Sequence, residues 1–200
     1  MHRIRFTRPA WRVLVVGVVL VGAAAGARFA NPSEARARFS PALACGAERW
    51  NVKTLADRPA LQTVRRATIA RLAAVPAPRT LPATRLPFEY HVFRVNAAVV
   101  LVRPESDSDL HVVLSDGRRT MIAEATAPAC APRAAAVRHL QIGRVRQLVR
   151  VCPRATVTGV AFFDFPHGQT GVAPNAIELH PILGFRCLSI ANARLGPPGG

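Results

Sequence analysis

Lysine is nearly missing from this chain, and so are most of the motifs that announce an activity. Of 27 basic residues only Lys53 is a lysine, against 11 acidic residues, so the formal charge of +16 is carried by arginine. Such a balance raises nucleic acid or an anionic surface as a partner. The chain is also rich in alanine and proline, however. That triple bias is what a GC-rich coding sequence gives almost anywhere, so nucleic acid is a partner the charge allows but does not favour. No serine stands in a GxSxG elbow and no histidine pair has HExxH spacing, which removes two familiar hydrolase signatures. The four cysteines, Cys45, Cys130, Cys152 and Cys187, contain no CxxC pair, so they do not point to zinc. No catalytic residue, metal ligand or cofactor site is assigned from sequence motifs.

The N-terminus is the clearest positive signal. Arg3, Arg5, Arg8 and Arg12 form a basic region ahead of the uncharged run 13–27, and Ala25-Gly26-Ala27 supplies the small residues of a cleavage site. The run has the length of a secretory h-region and falls short of the ~20 residues that span a bilayer. The alternative is an uncleaved anchor extended through Phe29. Either reading has residues 1–27 engage the membrane during export and places the rest outside the cytoplasm, secreted or anchored. Four cysteines suit the oxidising compartment this implies.

Beyond the signal, residues 28–47 read as a flexible segment and 48–87 as a helical and extended extension. A helix is expected within 48–75, with Asp57 as a cap and Pro59 in its first turn. Pro76, Pro78, Pro82 and Pro87 make a stiff connection. Residues 88–190 form the expected domain, and 191–200 a disordered tail. A long bent strand runs from Phe88 to Val102. Two more, at 110–114 and 119–125, are joined around Asp116-Gly117, a hairpin signal. A helix over 133–150 sets Val137, Leu140, Val145 and Leu148 on its buried side, with Arg138, Arg146 and Arg150 solvated or meeting anionic lipid or wall polymer. Strands at 155–165 and 176–185 close the pattern.

The order strand, strand, strand, helix, strand, strand is that of an OB-like β-barrel. The expected fold is therefore mainly β with a short N-terminal helical segment; another small barrel or an α+β sandwich are the competitors. A register that sets Asp164 opposite Ala176 leaves Cys152 and Cys187 within about one residue of each other, so a Cys152–Cys187 disulfide would clip that hairpin and Cys45–Cys130 would tie the N-terminal segment to the barrel. The alternative is that Cys152 and Cys187 are small buried residues.

Several stretches carry a resemblance: Glu48-Arg49-Trp50 with Val52-Lys53-Thr54; Glu105-Ser106-Asp107-Ser108-Asp109 with His111 and Val113-Leu114; Met121-Ile122 with Glu124; Thr158-Gly159-Val160 with Phe162-Phe163-Asp164; and above all residues 167–175, HGQTGVAPN, leading into Ile177-Glu178-Leu179-His180-Pro181. Spread over residues 48–181, they resemble a group of uncharacterised exported bacterial proteins. The resemblance implies export and a β-domain and transfers no catalytic residue. Cys152 and Cys187 lie outside the pattern.

The loop 166–175 is the main candidate site. Strand alternation points Glu178 and His180 away from the barrel interior and Ile177 and Leu179 into it. Phe162 sits opposite Glu178, where its ring could offer a stacking surface. Phe162, Asp164, His167, Gln169, Asn175, Glu178 and His180 are therefore the candidate ligand-binding residues. The plainer reading is that the glycines and Asn175 satisfy a tight loop, Phe162 packs under the helix and Glu178 bonds loop backbone. A metal-assisted hydrolase, with phosphodiesters as one substrate class, would draw on Asp164, His167, Glu178 and His180. Glu105, Asp107 and Asp109 are expected in a solvated acidic turn. The turn lacks the EF-hand pattern for Ca²⁺, and it would repel phosphate near the ligand face. Strands two and three also lack the aromatics that stack bases. Three functions follow: a binding module of the cell envelope or beyond, that hydrolase, and a structural or interaction domain of the envelope.

Overall fold

The computed structural model describes residues 44–188. The expected signal or anchor, nearly all of the segment 28–47 and the expected disordered tail lie outside those residues. The elements are α1 (Trp50–Lys53), β1 (Val64–Ala67), α2 (Ile69–Ala73), β2 (Val92–Pro104), β3 (Leu110–Ser115), β4 (Thr120–Ala125), α3 (Ala136–Leu148), β5 (Cys152–Phe163) and β6 (Ile177–Cys187), with 3-10 turns at Pro87–Tyr90 and Pro128–Cys130. No described helix is long and apolar enough to cross a membrane.

Strands β2, β3, β4, β6 and β5 pair in that order, and β5 returns to β2. This closes a five-stranded barrel with α3 between its third and fourth strands, the OB connectivity expected above. One long strand makes closure feasible. The first half of β2 pairs with β5 and the second with β3, and the register shifts between Val99 and Leu101. Such a bulge bends a strand and increases its twist, which is the bend anticipated for residues 88–102. The parallel seam between β4 and β6 is short, Ile122 opposite Glu178 and Ala123 opposite Leu179.

Alternation fills the barrel. Val95, Val112, Leu114, Met121, Ala123, Val157, Ala161, Ile177 and Leu179 share one buried cluster inside it. A second cluster, built on Val92, Val160, Leu183, Ala131, Ala134 and Ile142, joins the outer face to α3 and the turn before it.

Three local expectations are corrected. The 48–75 stretch is not one helix: α1 and α2 are single turns separated by β1, which adds parallel to β2 from Val64↔Val92 to Ala67↔Val95. Asp57 does not cap; both its oxygens accept from Arg85, at 2.8 and 3.0 Å. Thr68 is the cap, accepting from the Arg71 amide. In α3 the buried residues are Ile142 and Val145, while Val137, Leu140 and Leu148 are exposed. The helix is turned because Arg146, expected in solvent, donates to the carbonyl oxygens of Ala125 and, at 2.7 Å, Ser108. Finally, the β5–β6 register holds near the loop, with Phe162 opposite Glu178, then slips at two bulges so that Ala155 rather than Cys152 faces Cys187.

Both disulfides nonetheless form as expected, Cys45–Cys130 across 85 residues and Cys152–Cys187 across 35. They fit an oxidising environment.

Candidate functional site: a buried ionisable cluster under a small cleft

The outward positions of β3, β4 and β6 carry charge where a solvated barrel face would carry ordinary polar residues. His111 stands opposite Glu124, and Glu178 and His180 follow on β6 with the outward orientation alternation predicts. None of the four is exposed: all are at most 3% accessible. Burying ionisable groups costs free energy unless each is paired or neutralised, so the cover over them and their mutual pairing decide what this face can do.

Three segments supply the cover. The first is 46–53, tethered by Cys45–Cys130 and by Arg49. Its guanidinium binds both Glu89 oxygens at 2.7 Å and also donates to the Phe163 carbonyl at 2.8 Å. Gly46 permits this path, since a Cβ there would lie 2.4 Å from the Trp50 ring. The second is the β2–β3 loop, where Asp109 is fully buried. The acidic turn expected to be solvated is therefore partly a structural anchor: Asp109 accepts from the Ala127 amide (2.9 Å) and meets His180 Nε2 at 3.1 Å. The third is the loop 166–175. Gly171 is required here, because it has φ of 88° and a Cβ would come 2.6 Å from Val113. That close approach sets the Thr170 carbonyl 2.8 Å from His111 Nε2.

Protonation states follow from the partners. His180 Nε2 faces Asp109 at 3.1 Å, with the Thr126 hydroxyl at 3.2 Å, and Nδ1 faces Glu178 at 3.1 Å; with a carboxylate against each nitrogen, both carry protons. Burial pushes its pKa down, but hydrogen bonds to Asp109 and Glu178 and the charge of Glu124 lift it to about 10. Burial, followed by the Glu124 charge, pushes Glu178 up to about 7 against the pull of His180. Asp109 is held below its ordinary value, its burial outweighed by His180 and the Ala127 amide. Lys53 donates to Asp164 at 3.0 Å. Burial opposes its charge, yet Glu178, Asp164 and Glu124 hold its pKa above the usual lysine value. His111 is raised first by Glu124, against burial, and Glu105 is raised by burial and by Glu124.

Above this cluster lies a cleft of about 220 Å³, lined by Trp50, Lys53, Glu105, Asp107, Glu124, Asp164, His167 and Gln169 together with 46–48. Of the sequence candidates, Asp164, His167 and Gln169 reach it. Glu178 and His180 belong to the cluster beneath. Phe162 is corrected: its ring is fully buried, capped by Arg49 at 4.7 Å and Lys53 at 5.3 Å, and offers no stacking surface. Asn175 donates to the carbonyls of Leu72 (2.9 Å) and Val75 (2.8 Å) and so fastens the loop to α2. His167 is exposed at the rim, with Nδ1 2.6 Å from the Phe165 carbonyl.

Sequence reasoning did not assign His111, Glu124 or Lys53 to the site. The available signal was alternation along β3 and β4, which sets His111 and Glu124 on the same outer face as Glu178 and His180.

Among the described residues, ligand-type atoms of Glu105, His111 and Glu124 lie within 4.8 Å of one another, as do those of Asp109, Glu124 and His180. Of the expected metal group Asp164, His167, Glu178 and His180, only His180 belongs to either. A second, larger depression of about 770 Å³ lies along β1, β2, β5 and β6. Arg66, Arg71, Arg94 and Arg186 line it with Asn96, Thr156 and Thr158, and no carboxylate is among its described lining residues.

No family model matches the chain, and no curated protein matches it. Solved structures similar in part include a protein described as an aspartyl-tRNA synthetase from Leishmania major Friedlin, at 14% identity and TM-score 0.39, covering 60% of this chain and 20% of that one. An asparaginyl-tRNA synthetase from Entamoeba histolytica matches at 14% identity and TM-score 0.37, covering 64% and 24%. An aspartyl-tRNA synthetase from the same organism matches at 13% and 0.36, covering 64% and 26%. The match thus spans about a quarter of those chains or less. Likenesses at this level carry no functional argument; the barrel assignment rests on strand order and closure.

Proposed function

We propose that the chain is an exported binding module, acting at or outside the cell envelope, whose site is the cleft over the ionisable cluster. The observation that carries this is the cleft's position and floor. It opens between the first and last inter-strand loops of the barrel, the loops against which OB barrels hold their ligands, and its floor is made of Lys53, Glu105, Glu124 and Asp164. At about 220 Å³ it is smaller than the ~300–1,000 Å³ of drug-sized ligand sites. It therefore suits an ion with its water or a small polar molecule. Three of those four floor residues are acidic, which disfavours phosphate and nucleic acid at this opening.

Export is supported by the N-terminal pattern and is compatible with both disulfides. Mass spectrometry of the secreted form would test it, with a mature start after Ala27 expected; retention in the cytoplasm with reduced cysteines contradicts it. For the binding reading, the exported protein is screened by thermal shift against metal chlorides and small polar metabolites. A stabilising compound is expected. Its effect should be weakened by Gln169→Ala and Trp50→Ala, which line the rim, while the unliganded midpoints move little. A screen without a hit, or a hit indifferent to both variants, removes the cleft as the site.

A further inference from the structure

We infer that Glu105, His111 and Glu124 form a binding site for one first-row divalent cation, of which zinc is the best fit. This names the ligand class of the cleft and rests on the reading above only in taking the cleft as the route of entry.

The argument begins at His111. Its Nε2 faces the Thr170 carbonyl at 2.8 Å, and a carbonyl only accepts, so Nε2 carries a proton. Nδ1 lies between two carboxylates, 3.4 Å from Glu105 Oε1 and 3.5 Å from Glu124 Oε1. Neither contact is aligned as a hydrogen bond. This Nδ1 is a fully buried polar atom without a hydrogen-bond partner among the described residues, and Glu124 Oε2 is another. Two carboxylates around one ring nitrogen call for positive charge between them, and these long, unaligned contacts hold a proton poorly where a metal ion would bind all three atoms.

Separation and charge both suit a metal ion. Tetrahedral bonds of about 2.1 Å put neighbouring ligand atoms about 3.4 Å apart, which is the spacing of His111 Nδ1 to each carboxylate. A ligating imidazole ordinarily donates its second N–H to a carbonyl or carboxylate, which Thr170 provides through the close approach allowed by Gly171. His180 is held by Asp109 and Glu178, both at 3.1 Å, and Lys53 by Asp164 at 3.0 Å. Glu105 otherwise meets only the exposed Arg103 guanidinium at 3.4 Å, and Glu124 shares His180 at 3.3 Å, so negative charge is left in excess beside His111 for a divalent cation to offset. The imidazole favours zinc over calcium, magnesium or manganese, which take oxygen ligands. Glu105 and Glu124 both line the cleft, so the coordination position not taken by protein faces its opening.

The test uses the full exported protein, stripped with chelator and titrated with zinc chloride by calorimetry, with metal counted by mass spectrometry. One ion per chain is expected, and a raised unfolding midpoint. His111→Gln keeps a donor for Thr170 while deleting the Nδ1 ligand, and Glu105→Gln alters a half-buried group. Each is expected to weaken zinc binding at least about tenfold, whereas His139→Ala, on α3 and outside the cleft lining, leaves it unchanged; His167→Ala tests the rim histidine as the alternative ligand. Circular dichroism of each variant checks folding, and Glu105→Gln keeps the test decisive should His111→Gln fail to fold. No bound zinc, or zinc held equally by Glu105→Gln, overturns the inference. If zinc fails but a small polar molecule binds through Gln169, only the cation is lost and the cleft reading stands. If zinc binds through His167 instead, the assignment to His111 is wrong.

Discussion

The two depressions on this barrel are opposites. The smaller has an acidic floor over buried, mutually paired groups; the larger is open and lined by four arginines with no carboxylate among its described lining residues. A chain of net charge +16 has therefore gathered several of its few acidic residues at one site and left the arginine excess on the surface elsewhere. Net charge describes the solvated face. It says little about the site, where burial forces each ionisable group to find a partner.

The sharpest way to break this comparison is to remove one arginine from each region. Arg49→Ala leaves Glu89, fully buried, without its guanidinium, and is expected to cost about 3–5 kcal/mol. Arg94→Ala, in the exposed depression, should stay within about 0.5 kcal/mol. Urea denaturation of both variants checks this, and similar losses would erase the distinction.

The disulfides sharpen it next. Replacing Cys45 and Cys130 by serine, or Cys152 and Cys187, should each cost about 2–4 kcal/mol, more for the longer loop. Only the first pair holds the wall of the cleft, so only its loss should weaken ligand binding measured below the unfolding transition.

A smaller effect concerns salt. Arg66→Glu with Arg94→Glu should lower the salt needed to elute the protein from heparin, since each ionic contact steepens the salt dependence. Glu105→Gln should leave elution nearly unchanged.

The last effect is a pH slope. Glu178 is raised from its ordinary value to about 7, so between about pH 4.5 and 7 the folded state binds more protons at this group than the unfolded chain does. Its contribution is greatest at the acid end and is lost as pH rises through 7. In chelator, Glu178→Gln should flatten that part of the stability profile; an unchanged slope would mean the group titrates normally.

The legible and illegible parts of the fold divide along the same line. Barrel connectivity, the Asp116-Gly117 hairpin and the bent first strand could be read from β-branched runs and turn residues, because these act locally; Cys152–Cys187 followed from the hairpin register, and Cys45–Cys130 was the pair that remained. What failed was long-range. Nothing near Asp57 announces that Arg85 takes its carboxylate, and nothing in α3 shows that two carbonyls draw Arg146 inward. In the site, alternation placed Glu178 and His180 on the outer face correctly, yet the cover by residues 46–53 made that face an interior. Phe162 was misjudged for the same reason. Asp164, His167 and Gln169 line the cleft, and they could be named from sequence because they sit on or beside the distinctive loop. His111 and Glu124 lie on ordinary strands, and only their cross-strand partners give them meaning.

The most direct measurement is a crystal structure of the exported protein grown with zinc, with diffraction recorded on both sides of the zinc absorption edge. The account requires an anomalous peak about 2.0–2.1 Å from His111 Nδ1, bridged to Glu105 and Glu124. A crystal with no such peak, and with His111 Nδ1 donating a straight hydrogen bond to Glu124, would make the cluster a self-contained ionic brace.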